Sequence, residues 1–313
     1  MRSNCNSFNE VLAGHREDVM ALLRSVILAS VLTTFTLVNP KENCDSYGSL
    51  LYEDLRCTAI TKDAEPCPRS YTCNLNLSDT GCIYKGTYYA VGMEIGSDLT
   101  YSACNIGCHC AAPNNIQCGI LDCPEYLEQN PKPECYSTYE LGKCCAIGQV
   151  CNAPDNRKRC RVDGYTYEVG QEFYPSGTCF SCVCHDRYNG TFDEATCVRR
   201  NCASQINHVI EISQYCAPTY LKFGPEALDV LCCPDEYICP ETSERMEMIE
   251  LGTRGVKGEG ADCVWGDRKV KFGYGFNKTS SRYGKDRLVQ CECVMPPLVT
   301  CKQINSEQRH PSS

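Results

Sequence analysis

The sequence predicts a small disulfide-rich, mainly β fold with little helix, arranged as a tandem array of modules. Three observations carry this expectation. The chain has 29 cysteines in 313 residues but only one Trp and eight Phe, too much sulfur for a reducing compartment and too little bulk for one large core. The cysteines recur in a fixed order along two successive stretches. No segment between Cys44 and Cys239 shows a convincing helical period. Lys plus Arg number 30 against 39 Asp plus Glu, a net charge of −9, which speaks against a nucleic-acid partner.

Residues 1–38 read as a leader and signal peptide. The apolar run Val26–Val38 follows Arg24 and ends at Asn39-Pro40. It is shorter than the ~20 residues of a spanning helix, so it suits a secretory core and implies no stable membrane span. The 19 residues before Met20 are long and partly acidic for such a signal. A start at Met20 gives Met-Ala-Leu-Leu-Arg and then the apolar run, which makes Met20 an alternative start. Cleavage between Thr36 and Lys41 would also remove Cys5. That leaves 28 cysteines, the even number a closed disulfide framework needs. The expected address is secreted and extracellular.

The repeat is written in cysteines. One set of ten is Cys82, Cys104, Cys108, Cys110, Cys118, Cys123, Cys135, Cys144, Cys145 and Cys151. The other is Cys160, Cys179, Cys182, Cys184, Cys197, Cys202, Cys216, Cys232, Cys233 and Cys239. Both contain C-x-C, then C-x4-C, then a vicinal pair, five residues and a last cysteine. Gly86, Tyr89, Gly92 and Ile95 stand at offsets 4, 7, 10 and 13 from Cys82, and Gly164, Tyr167, Gly170 and Phe173 at the same offsets from Cys160. Tyr165, Tyr167 and Val169 alternate as one face of a strand does. Turns at Gly170 and at Pro175-Ser176-Gly177 then predict a three-stranded antiparallel sheet with an aromatic face.

The pattern C-x3-G-x2-Y-x2-G, C-x2-C-x-C, C-x4-C and CCP-x4-C resembles the von Willebrand factor type C module. Residues 82–159 and 160–239 would be two complete copies. The first departs at Cys104-x3-Cys108 and lacks the proline after Cys144-Cys145.

The ends resemble half modules. In 39–81, Cys44, Cys57, Cys67 and Cys73 follow the spacing of Cys123, Cys135, Cys145 and Cys151, with Pro66 where the eighth cysteine should stand. In 263–301, Cys263, Cys291, Cys293 and Cys301 resemble a first half, with Leu288 or Arg287 in place of the second cysteine. A half on its own would leave such a cysteine unpaired, an exposed thiol in an oxidising compartment. The two missing cysteines are therefore expected to be partners in a complete module, giving Cys104–Cys144 and Cys179–Cys232. The other pairs follow from the resemblance alone. It implies Cys82–Cys110, Cys108–Cys118, Cys123–Cys145 and Cys135–Cys151 in the first copy. In the second it implies Cys160–Cys184, Cys182–Cys197, Cys202–Cys233 and Cys216–Cys239. The halves would close as Cys44–Cys67, Cys57–Cys73, Cys263–Cys293 and Cys291–Cys301. At ~2–4 kcal/mol each, against a usual whole-domain stability of ~5–15, such bridges would dominate folding.

Residues 240–262 contain no cysteine and read as a charged, solvated linker whose Met246, Met248 and Ile249 form a slight apolar face. Residues 302–313 form a tail. Arg157-Lys158-Arg159 reads as a charged connection between modules, with a dibasic cleavage site as the alternative. Sequons place glycosylation candidates at Asn76, Asn189 and Asn277. Cys108-His109-Cys110 and Cys184-His185 would suit a metal only with free thiolates, and every cysteine here has a disulfide slot. No cofactor is therefore expected. No histidine shows a hydrolase spacing and no glycine loop would cradle phosphate, so an enzyme is not expected either.

Disulfide-stapled modules in a row, joined by short hinges, imply recognition of a protein ligand. Similar arrays, in chordin, kielin and crossveinless-type proteins, bind growth factors of the bone morphogenetic protein and transforming growth factor-β type. That resemblance implies a secreted binding protein that modulates such a ligand. It also implies that contacts come from a module's first half: Ile83, Tyr84, Tyr88, Tyr89 and Met93, and Tyr165, Tyr167, Phe173 and Tyr174. The competing expectations are an extracellular-matrix or cuticle-associated structural protein and a secreted immune or venom-type effector.

Overall fold

Strands are short here because cysteines and turn residues interrupt the chain every few positions. The computed structural model describes residues 44–62, 65–96, 99, 104–126, 134–152, 157–222, 228–241, 246–251 and 260–304. The leader, Met20, Cys5, the expected cleavage site and the end of the tail lie outside them. The amino-terminal half contributes α1 (Ser49–Asp54), β1 (Thr58–Ile60) and β2 (Ser70–Thr72). The first ten-cysteine repeat follows with β3 (Gly81–Tyr84), β4 (Thr87–Ala90), β5 (Asn105–Ala112), β6 (Asn115–Ile120), β7 (Cys135–Thr138) and β8 (Gly148–Cys151). The second holds β9 (Arg159–Val162), β10 (Tyr165–Glu168), β11 (Glu172–Phe173), β12 (Phe180–Val183), β13 (Cys197–Arg199), α2 (Ser204–Ser213), β14 (Ala217–Tyr220) and β15 (Glu236–Ile238). After β16 (Ile249–Glu250), the carboxy-terminal half adds β17 (Cys263–Trp265), β18 (Arg268–Val270), β19 (Tyr274–Ser280), β20 (Arg287–Glu292) and β21 (Thr300–Gln303).

One local pattern appears three times. An antiparallel hairpin, β3–β4, β9–β10 or β17–β18, precedes a three-stranded arrangement. The latter is β11–β12–β13 in the second repeat and β19–β20–β21 in the carboxy-terminal half. In the first repeat the chain at Met93–Ile95 lies along β5, with Ile95 N–H donating to Cys108 O at 2.7 Å and Cys110 N–H to Met93 O at 3.0 Å. A second hairpin, β1–β2, β7–β8 or β14–β15, belongs to each second half.

Two local expectations are corrected. β10 pairs backward with β9, and β11 begins a separate sheet, so Tyr165–Glu168 is not part of one three-stranded sheet with the strands that follow. The left-handed φ of +95° at Gly170 turns the chain away from β9–β10. The region between Cys44 and Cys239 also contains two helices. α1 is too short to display a period. α2 is built from β-branched Ile206, Val209, Ile210 and Ile212 and breaks helical geometry at His208, so tertiary packing carries it against modest propensity.

Fourteen disulfides join the described cysteines, and none links one repeat or half to another. Cys104 is bonded to Cys144 and Cys179 to Cys232, tying the first half of each complete repeat to its second half. Others staple residues that face each other across a ladder, as in Cys135–Cys151, Cys182–Cys197 and Cys291–Cys301.

Noncovalent packing joins what the sulfurs leave separate. β15 and β14 of the second repeat continue into β21, β20 and β19 of the carboxy-terminal half and end at β16, a six-stranded sheet. Trp265, Val270, Phe276 and Val289 fill its buried face together with Ala217 and Leu221. A second cluster draws Leu51, Tyr52, Leu55, Tyr71 and Leu75 from the amino-terminal half, Ile212 from α2, and Met295 and Leu298 from the carboxy-terminal half. The first repeat enters at its β3–β4 turn. Lys85 Nζ stands 3.0 Å from the buried carboxylate of Asp54, and its N–H donates to Gln205 Oε1 at 2.7 Å.

The expectation of separate beads on short hinges is therefore replaced by modules packed into one compact unit. The physical reason is the apolar faces of α1 and α2, which a small second half has too little mass to cover alone. The stretch read as a solvated linker departs from that reading too. Ile249 and Glu250 pair with β19, and Met246 packs against the sheet's core.

Candidate ligand-binding surface

Alternation along the hairpins decides which expected contact residues reach solvent. In β3–β4, Cys82 pairs with Tyr89, and Ile83 with Tyr88. Cys82, Tyr84 and Tyr89 point inward against Ile95, Cys108 and Cys110. Tyr84 donates its hydroxyl proton to Leu99 O at 2.9 Å, and burial pushes its phenol well above the usual range. Tyr88 points outward, 49 % exposed, its hydroxyl 3.0 Å from Thr80 Oγ1. Met93 follows at 50 % exposure and Val91 at the same value. Ile83 is half-buried, and its carbonyl faces Gln205 Nε2 at 3.4 Å.

In the second repeat Phe173 is buried. It packs with Tyr167, ring centroids 5.2 Å apart, and edge-on with Tyr188 at 5.7 Å. Tyr167 is half-buried, whereas Tyr165 and Tyr174 stay 69 % and 60 % exposed. Tyr174 sits beside Glu172, whose carboxyl burial raises in pKa.

Tyr84, Tyr89 and Phe173 are therefore corrected: they are core residues, because their strand registers turn them toward the disulfides. Tyr88, Met93, Tyr165 and Tyr174 remain available. Sequence reasoning missed Val91 and Ile120, the latter 75 % exposed at the end of β6. Ile120 shares strand parity with buried Ile116, so only the length of the strand beyond the core distinguishes it.

The sequon residues Asn76, Asn189 and Asn277 are all exposed, Asn277 on β19 opposite Gln290. Two groups among the described residues hold metal-type ligand atoms close together: Cys104, Cys123 and Cys144, and Cys123, Glu125 and Cys145. Their sulfurs are spent in Cys104–Cys144 and Cys123–Cys145, so no thiolate is available to a metal. Among the described residues no helix is long and apolar enough to cross a membrane. Comparison with known proteins finds no matching family model, no matching curated protein and no matching solved structure.

Proposed function

We propose that the chain is a secreted extracellular binding protein that binds and modulates a growth factor of the bone morphogenetic protein and transforming growth factor-β type. One observation carries this reading. Tyr88, Val91 and Met93 stand half-exposed within six residues on a hairpin held by Cys82–Cys110, and exposed Tyr165 and Tyr174 come from the corresponding part of the second repeat. Rigid aromatic and adaptable thioether side chains in water are what a protein partner uses as anchors. The tyrosines lose little side-chain entropy on binding, and a cross-linked backbone beneath them has little left to lose. Weak sites on two repeats would reinforce each other through avidity.

The test is surface plasmon resonance of the full exported chain against a panel of such growth-factor dimers. Saturable binding is expected, weakened by Tyr88→Ser with Met93→Ser. The same side chains are outward-facing, so that variant should keep its disulfide map. No saturable binding across the panel would overturn the proposal in favour of a matrix-associated structural role.

A further inference from the structure

Charge is unevenly distributed. Between Cys263 and Cys301 seven Lys and Arg stand against three Asp and Glu, a net +4 in a chain of net −9, so the rest of the chain carries −13. Such asymmetry marks a place where an anionic partner is favoured.

The fold lines these cations up. Arg268 of β18 and Lys278 of β19 both lie over the ring of buried Trp265, 5.6 and 5.7 Å from its centroid. Lys278 pairs with Val289 and Ser280 with Arg287, which makes Lys278 and Arg287 diagonal neighbours on one face of β19–β20. Arg287 Nη1 donates to the backbone oxygen of Arg282 at 2.8 Å, so exposed Arg282 ends the row. Lys269, Lys271 and Lys285 are exposed around it. The carboxylates of this half, three against seven cations, leave it net positive. Asp267 is 3.8 Å from Arg268 but almost wholly solvated, and Asp286 accepts a hydrogen bond from Ser281. Glu236 acts on the Arg282 end, and Asp235 acts on both Arg282 and Arg287.

Diagonal neighbours on adjacent strands stand roughly 7–8 Å apart, a spacing suited to a linear polymer of fixed anions. Guanidinium groups bind tetrahedral oxyanions through two parallel N–H donors. A lipid surface fits less well. Among the described residues of this half, Tyr283 is the one large apolar side chain left exposed, where membrane docking needs an apolar face. We propose that the row Arg268–Lys278–Arg287–Arg282 binds a sulfated polysaccharide. This rests on the extracellular reading but not on the growth-factor reading, because the assay contains no growth factor.

Immobilised heparin is the probe, loaded with the full exported chain at about 0.15 M salt, the physiological ionic strength, and eluted with a salt gradient. The parent chain is expected to be retained. Lys278→Gln with Arg282→Gln and Arg287→Gln should weaken affinity roughly tenfold, from the loss of three partly solvated charge contacts. A second variant, Lys269→Gln with Lys271→Gln and Lys285→Gln, leaves the Trp265 contacts intact and should elute earlier than the parent. A third, Arg56→Gln with Lys62→Gln and Arg161→Gln, makes the same charge change elsewhere and should elute with the parent. The proposal is overturned if the parent flows through, if the third variant shifts as far as the first two, or if phosphatidylserine vesicles bind the parent more tightly than heparin does.

Discussion

Asp45 accepts hydrogen bonds from both terminal guanidinium nitrogens of Arg199, at 2.7 and 2.6 Å, across 154 residues of chain. The same buried carboxylate accepts Cys179 N–H at 3.0 Å, and the Asp45 backbone oxygen accepts Leu231 N–H at 2.8 Å. Arg199 reaches on to Glu53 at 2.9 Å. The amino-terminal half is thus seated beside the Cys179–Cys232 bridge of the second repeat by charge and hydrogen bonding, with no covalent link.

Replacing Asp45 by Ala leaves the two terminal guanidinium nitrogens and the Cys179 amide without this acceptor, while Glu53 still holds Arg199 Nε. Removing one partner of a buried pair typically costs 3–5 kcal/mol. The Arg199 side chain is a third exposed, so a smaller loss of roughly 2–3 kcal/mol is expected. Arg199→Lys should cost less than Asp45→Ala, since the charge stays and the two-pronged geometry goes. Urea denaturation of the oxidised protein measures both. An unchanged midpoint for Asp45→Ala would mean that this joint contributes nothing to stability.

Tyr52 joins the amino-terminal half module to the carboxy-terminal one. Its hydroxyl donates to Met295 O at 2.7 Å and accepts Leu298 N–H at 3.1 Å, while its ring stacks on Tyr71 at 4.5 Å. Tyr52→Phe keeps the stack and strands a buried carbonyl and a buried amide, at a cost of ~1–3 kcal/mol. Hydrogen exchange should show the Leu298 amide losing protection while amides of β5 and β6 keep theirs. Equal loss everywhere would point to global destabilisation instead of an opened clasp.

These contacts show where the sequence was readable. Cysteine spacing is local and covalent, so it survives as a pattern. Pro66 in the place of one cysteine, and the missing second cysteine of the other half, sufficed to pair Cys104 with Cys144. The joining of the two half modules was not readable, because Tyr52 and Met295 are 243 residues apart and each looks locally like an ordinary apolar residue. Helix α2 was hidden by its Ile and Val content. The candidate site was half readable for a related reason. Tyr88 and Tyr89 are chemically identical, and only the register of β3 against β4 sends one to water and the other to the core.

Gly170 is one of the contact points between the two complete repeats. Its oxygen accepts Tyr139 N–H at 2.8 Å, and a Cβ built on it would lie 2.6 Å from Thr138 Cγ2. Its φ of +95° is also one that side chains disfavour. Gly170→Ala should therefore cost ~1–3 kcal/mol from strain and push the β7–β8 hairpin off the second repeat. The disulfide map should not change. Protection of the Tyr139 amide is the readout, and full protection in the variant would show that the joint tolerates a methyl group.

Alkali should loosen the packed interior. Burial, chiefly, raises the Tyr71 phenol from 10.0 to about 12, and burial also raises Tyr52, Tyr84 and Tyr237. A group whose pKa is higher in the folded state holds its proton there after the unfolded chain has released it. Between pH 10 and about 12 the unfolded state therefore binds fewer protons, and stability falls as pH rises. Below pH 10 these phenols leave stability unchanged, since both states keep them protonated. Thermal melts across this range, read with tyrosinate absorbance, test the sign. The melting temperature should hold until pH 10 and then drop, with buried phenols ionising only as the protein unfolds. A flat melting temperature with every tyrosine titrating near 10 would place these hydroxyls in water instead of the packed interior.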